Sequence, residues 1–239
     1  QRSTPAPDLN ARLAALWRIE SPTIIGATAR IVKDVGVAEE IASAAFVAAM
    51  ETWPSRGVPD KPGAWLMQTA KNRALDHVRR AHMMRDKEDA IVADADREAN
   101  AGAAAGSRAM STNAAAAVAA VGGDDDDRGL DVLRLLFVAC HPVLSPDARA
   151  ALTLRVVGGL TTAEIARAFV VPEPTMAQRI VRAKKALADA AVAFEVPSTD
   201  EMPARLESVL QVIYLVFNEG YAATAGDDWM RPALCNEAL

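Results

Sequence analysis

The chain has 239 residues, 51% hydrophobic, 5% aromatic and 24% charged, with a formal net charge of −5. That length suits one or two domains with real cores, and a composition rich in alanine and poor in aromatics favours closely packed helices over sheets, so an all-α protein is expected. No apolar run is long enough to span a bilayer, and no charged segment followed by a hydrophobic one opens the chain, which excludes membrane spans and predicts a cytoplasmic location.

The two cysteines, Cys140 and Cys235, cannot form a disulfide framework and fit a reducing compartment. Cys140-His141 has no second pair at ligand spacing, so no metal site is expected. His77 and His82 sit among basic residues on a helical pattern and are read as facing solvent. No nucleophile-base constellation and no glycine-rich phosphate loop occurs, so no catalytic residue, cofactor or enzymatic activity is expected. The chain begins at Gln1 and its last residues look like an unfinished helix, which suggests a fragment or a trimmed chain.

In chain order, residues 1–7 are polar and proline-containing and are expected to fray. Helical patterning starts near Asp8. Ser21-Pro22 reads as an N-cap followed by proline at the first helical position, opening a helix lined by Ile24, Ile25, Thr28, Ile31 and Val32 and ended by Gly36. From Val37 to Trp53, Ala42, Phe46, Ala49, Met50 and Trp53 form an apolar stripe that leaves Glu39, Glu40, Ser43, Val47 and Glu51 outside. Pro54, Gly57, Pro59 and Pro62 then predict an ordered loop. In the next helix Leu66, Met67, Ala70, Ala74, Val78 and Ala81 share one arc, opposite Gln68, Thr69, Asn72, Arg73, Asp76, Arg79 and Arg80. Trp65, at the junction, either seals the core or stacks on an unpaired base, and the core reading is preferred.

Residues 99–121 are dominated by alanine with Gly, Ser, Thr and Asn, and Gly122-Gly123 precedes Asp124, Asp125, Asp126 and Asp127. This composition predicts a flexible tether. Beyond it, Leu160 to Lys185 reads as a helix-turn-helix. Thr161 and Glu164 make a capping box, so a short helix begins near Thr162 and ends by about Val170, ahead of Pro172 and Pro174. Pro174 suits the first turn of a second helix, in which Met176, Ile180, Ala183 and Leu187 line the packing face. Thr175, Gln178, Arg179, Arg182 and Lys185 fall on or near the other face, a set able to donate to phosphates and base edges in a major groove. An ordinary hairpin with a solvated charged face is the competing reading.

Charge is segregated along the chain. Lys61, Lys71, Arg73, Arg79, Arg80, Arg85 and Lys87 face only Asp76 and Asp86 within their segment, and Arg149, Arg155, Arg167, Arg179, Arg182, Lys184 and Lys185 face only Glu164 and Glu173. Two basic modules separated by an acidic connector follow from this. After Pro197, Leu206, Val209, Leu210, Ile213, Tyr214 and Phe217 have helical spacing, Gly220 is placed to stop that helix, and Asp227, Asp228 and Pro232 open another. Such an acidic helix pair is expected to dock on one of the modules or to begin a repeat array.

Several segments together carry a family resemblance. Ala-Glu-Glu-Ile at 38–41 with Phe46, Gly-Val-Pro-Asp-Lys-Pro-Gly-Ala-Trp-Leu at 57–66 and Ala-Lys-Asn-Arg-Ala-Leu-Asp-His-Val-Arg-Arg at 70–80 resemble region 2 of extracytoplasmic-function (ECF) RNA polymerase sigma factors, of the sigma-70 family. The helix-turn-helix resembles their region 4. Residues 131–142, 152–169 and 212–221 look like the subgroup with a C-terminal helical-repeat extension. The resemblance implies region 2 at 8–87, a linker at 88–129, region 4 at 130–193 and the start of the extension at 198–239.

By the same resemblance, Glu39, Glu40 and Ser43 lie on the helix that binds the clamp helices of core RNA polymerase, with the acids exposed and Phe46 in the core; the flap is the implied partner of region 4. Asp60, Lys61, Pro62, Gly63, Asn72, Asp76, Arg79 and Arg80 match the surface that melts and captures the −10 promoter element. Glu173, Thr175, Gln178, Arg179, Arg182 and Lys185 match the helix that reads the −35 element. Where common ECF sigma factors have Gly-Thr-Val-Lys-Ser-Arg, residues 174–179 read Pro-Thr-Met-Ala-Gln-Arg, and Ala177 donates no hydrogen bond. The extension is implied to regulate activity from within the chain, and the four aspartates would either imitate a nucleic-acid backbone in the polymerase or serve only solubility and charge repulsion. The alternatives are a stand-alone helix-turn-helix regulator with a C-terminal sensing domain, and a helical scaffold.

Overall fold

The computed structural model describes residues 9–99 and 126–221. Among the described residues there are eight helices and no strand: α1 (Leu9–Val32), α2 (Val35–Arg56), α3 (Pro62–Ala99), α4 (Asp126–Ala139), α5 (Pro146–Val156), α6 (Thr162–Ala168), α7 (Glu173–Asp189) and α8 (Met202–Tyr221). Helices α1 to α3 pack on one another, α5 to α7 form a second bundle, and α4 bridges them, lying along α1 and touching α5 and α8.

α1 departs from the expected break at Ser21-Pro22. It runs straight through Pro22, although proline cannot bond to the carbonyl one turn back. The tertiary environment overrides that loss: Ile24, Ile25, Ala29 and Thr28 are fully buried just beyond it, and each such aliphatic side chain contributes about 1.5–3 kcal/mol on burial. The helix ends at Val32, ahead of Gly36, because Lys33 takes a left-handed conformation (φ 60°) and Asp34 caps α2 through Val37 N–H at 2.9 Å. Gly36 therefore lies inside the first turn of α2. Pro54 is likewise absorbed into α2, which stops at Gly57 (φ 82°).

The core of α2 is Ile41, Ala42, Ala45, Phe46, Ala49 and Trp53; Met50, expected in the stripe, is 47% exposed. Trp17 meets Phe46 edge-on at 4.9 Å between ring centroids, and Trp53 meets Trp65 at 5.5 Å. Trp65 thus packs on the α2 end. α3 continues through Ala99, so helix extends into the segment read as tether; residues 100–125, with most of the alanine-rich stretch and Asp124 and Asp125, lie outside the described residues.

The helix-turn-helix forms as its capping chemistry dictates. Glu164 N–H donates to the Thr161 hydroxyl at 3.2 Å, and the Thr161 amide and hydroxyl both donate to Glu164 Oε2 at 2.8 Å. Phe169, Val170 (φ 52°) and Val171 make the turn, and α7 starts at Glu173 with Pro174 in its first turn. Met176, Ile180, Ala183 and Leu187 are all buried.

α8 docks on the second bundle, against α5 and α4. Val209, Val212 and Val216 are buried, Arg205 donates to the carbonyl of Phe137 at 3.1 Å, and Arg149 reaches Gln211. The buried face differs from the expected stripe: Leu206, Leu210, Ile213 and Tyr214 are 46%, 56%, 38% and 70% exposed. Helical spacing alone cannot choose between two apolar arcs of one helix. Gly220 is helical, and Asp227, Asp228, Pro232 and Cys235 lie outside the described residues.

Candidate nucleic-acid and polymerase interface

The α3 face is built by burial of its opposite side. Leu66, Ala70 and Ala74 are fully buried, which leaves Gln68, Asn72, Arg73, Asp76, Arg79 and Arg80 exposed. Gln68 donates to Asn72 at 2.9 Å and Arg79 lies 3.5 Å from Asp76, so part of the polar face is already ordered without a ligand. Asp60 and Lys61 are exposed just before α3, and Pro62 and Gly63 are half-buried in its first turn. Gly63 sits over the Glu20 carboxylate of α1, where a Cβ would overlap Oε1. On the same helix, burial and the neighbouring Arg30 and Arg128 guanidiniums hold the Lys71 ammonium below the ordinary lysine range.

On α7, Glu173, Thr175, Gln178, Arg182 and Lys185 are exposed and Arg179 half-buried. Thr175, Gln178, Arg179 and Arg182 border a shallow depression whose other wall is Val143, Leu144, Ser145 and Ala148. Arg179 lies 3.5 Å from Asp147 at the start of α5, and Lys185 lies 3.1 Å from Asp189. The two polar faces read from the sequence are therefore both open to solvent.

The acids of α2 divide. Glu40 is exposed, but Glu39, expected to be exposed, is only 4% exposed. Its carboxylate is held across the junction of the two bundles, by Arg155 of α5, with Nε 2.6 Å from Oε1, and by Lys184 of α7 at Oε2. The expectation failed because it considered α2 alone, where Glu39 does face outward; the second bundle covers that face. Arg155 also donates to the Leu160 carbonyl at 3.0 Å and stands 5.8 Å from the Trp17 ring centroid. Ser43 is half-buried in a groove with Val47, Met50, Gly159 and Glu164.

Further ties cross the junction. Arg18 pairs with Glu164, and Arg30 pairs with Asp127 and lies 3.5 Å from Asp131. Asp127, the one acid of the expected acidic run with a described side chain, is thus engaged with α1. Arg134 also reaches Asp131, at 2.8 Å. α1 approaches α4 so closely at Gly26 that a Cβ there would lie 2.9 Å from the Asp131 carbonyl oxygen. Gly159, at φ 65°, brings the loop before α6 against Arg18 and Ser21. No local pattern in the sequence marks Arg155 and Lys184 as partners of α2, or Arg18 as the partner of Glu164.

Burial opposes ionisation of Glu164, but the Thr161 amide and hydroxyl and the Arg18 guanidinium outweigh it and hold the carboxyl below the ordinary glutamate range. Cys140 is buried against Thr153, and burial pushes its thiol up, away from reactive thiolate character. No helix of the described residues is long and apolar enough to cross a membrane.

The fold and its two polar helices define a helical protein with two modules, one of them a helix-turn-helix. Comparison with known families sharpens the class: residues 16–83 match sigma-70 region 2, residues 134–187 match sigma-70 region 4, and residues 205–239 match a family of unknown function (DUF6596). The chain thus matches the sigma-70 family in two regions, 2 and 4 in that order, ahead of the DUF6596 segment. It is 37% identical over 220 residues, 91% of its length, to the "Uncharacterized protein R00370" of Rhizobium meliloti (strain 1021), and covers 48% of that relative. The chain thus spans about half the length of the curated relative it matches.

Proposed function

We propose that this chain is a promoter-recognition subunit of RNA polymerase, a sigma factor of the ECF type. The observation that carries the reading is that one chain presents two exposed polar faces, Asn72 to Arg80 on α3 and Thr175 to Lys185 on α7, on the segments that match regions 2 and 4. In this reading, α7 enters the major groove of the −35 element. Gln178 suits the paired donor and acceptor of adenine, and Arg182 suits guanine or a phosphate. Ala177 reads nothing by hydrogen bonding. The α3 face, with the Asp60–Gly63 loop, takes the melted −10 strand, where Arg79 and Arg80 neutralise phosphates and the loop shapes a pocket for an unstacked base.

Core polymerase is the partner of the α2 face carrying Glu39, Glu40 and Ser43 in this reading, and the flap is the partner of the second bundle. The α8 docking site on α4 and α5 gives the C-terminal extension a direct hold on the −35-reading bundle, a route for regulation from within the chain. Such work belongs in the cytoplasm. The test is run-off transcription by core polymerase on genomic fragments enriched by the protein-polymerase pair. Initiation at defined start sites that requires the added protein supports the reading; identical transcription with and without it contradicts it.

A further inference from the structure

Glu20 is an acid at the margin of the basic α3 face. It stands on α1, which runs unbroken through Pro22 and is anchored just beyond by the fully buried Ile24 and Ile25; the first turns of α3 are anchored in turn by Leu66 and Met67. Between these two fixed helices the half-buried Glu20 side chain lies against Gly63, where a Cβ would stand 2.7 Å from the carboxyl carbon and 2.9 Å from Oε2. The missing Cβ gives the carboxylate its seat. Among the described residues no hydrogen bond or ion pair reaches Glu20, whereas Asp76, further along α3, lies 3.5 Å from Arg79. From Gly63 the exposed arc Ala64, Gln68, Asn72, Asp76 and Arg79 runs along the helix, about 24 Å at 1.5 Å per residue.

An unpaired strand laid along this arc meets cations at one end and a carboxylate at the other. An ionised carboxylate only accepts hydrogen bonds and repels phosphate, so the groups of a DNA strand that suit it are the donors on base edges. We infer that Glu20 is a specificity-determining residue of the −10 surface: its carboxylate accepts the exocyclic amino group of one unstacked base beside the Asp60–Gly63 loop and discriminates against thymine, which carries none. The inference rests on the reading of the α3 face as the surface that takes the melted −10 strand. Cytosine, adenine and guanine share the amino group, while thymine sets a carbonyl oxygen against the carboxylate, acceptor against acceptor. The loop fixes where the base goes, and Glu20 decides which base stays.

The test removes the amino group from the DNA. Core polymerase and the full-length protein are assembled on promoter fragments whose −10 region is already opened by mismatches, so that strand separation does not enter the readout. Each unpaired base is replaced in turn by its analogue without the amino group: 2-pyrimidinone for cytosine, purine for adenine, hypoxanthine for guanine. The lifetime of the complex is expected to fall about tenfold at one position, and the analogue that causes the fall identifies the base. In Glu20→Ala the same replacement is expected to have no effect, and Glu20→Gln, whose amide also donates, is expected to accept thymine there. Indifference of the unaltered protein to all three analogues overturns the inference. So does a Glu20→Ala variant that shortens every lifetime by one common factor and keeps the discrimination, because Glu20 then only packs. Absence of any complex with the unaltered protein removes the sigma-factor reading and this role with it, a result distinguishable from complexes that form without discrimination.

Discussion

Arg155 reaches Glu39 across 116 residues of sequence, with its Nε 2.6 Å from Oε1 and the acid only 4% exposed. The pair joins α5 to α2, and Lys184 of α7 completes it. Truncating one member of a buried ion pair leaves the others desolvated and uncompensated, so Glu39→Ala is expected to cost about 3–5 kcal/mol. Urea unfolding with a conserved m-value checks this. A loss within the range of an exposed surface pair, about 0–1 kcal/mol, would show that water reaches the site.

The helix-turn-helix cap is predicted to be acid-sensitive. Because the Glu164 carboxyl is held below its ordinary range, its contribution is present in full above the unfolded glutamate range and is lost as pH falls through the lower folded value. Thr161→Ala removes the hydroxyl of the capping box and is expected to cost about 1 kcal/mol. The same substitution should flatten the acid limb of a melting-temperature profile. A variant with an unchanged acid limb would assign that limb to other carboxylates.

The two faces of α7 should separate in mutational tests. Met176 is fully buried, so Met176→Ala is expected to destabilise the protein by about 2–5 kcal/mol. Gln178 is exposed on the opposite side, and Gln178→Ala should leave the thermal midpoint unchanged while lowering transcription from −35-dependent promoters. Loss of stability in the Gln178 variant would place that residue in the packing face.

Salt dependence can sort phosphate contacts from base contacts. Removing a cation that touches a phosphate lowers the slope of log K against log salt by about 0.9 on duplex DNA and about 0.7 on a single strand. Arg80→Ala and Arg182→Ala are each expected to do so in the polymerase complex on promoter DNA. Arg179 lies 3.5 Å from Asp147, so Arg179→Ala should also free that acid. Slopes unchanged in both the Arg80 and Arg182 variants would remove these helices from the DNA interface.

Local chemistry was legible in the sequence. The capping box at Thr161 and Glu164, the start of α7 around Pro174 and the buried arc Met176–Leu187 each depend on residues within a few turns of one another, and each is present. The helix boundaries at Pro22, Gly36 and Pro54 were misread because local signals were overridden by packing in α1 and by the Lys33-Asp34 turn. Burial of Glu39 was illegible, since it follows from how two bundles meet and not from α2. The face chosen by α8 has the same origin: the spacing was helical, but α4 and α5 decide which apolar arc is covered.

The central claim, that the two polar faces act together within a polymerase complex, is tested most directly by a gel shift on promoter fragments carrying −35 and −10 elements, with and without core polymerase. The account predicts a specific, heparin-resistant complex only when polymerase and the protein are both present, lost when either element is scrambled. Tight, specific binding by the protein alone would contradict it and identify a stand-alone helix-turn-helix regulator.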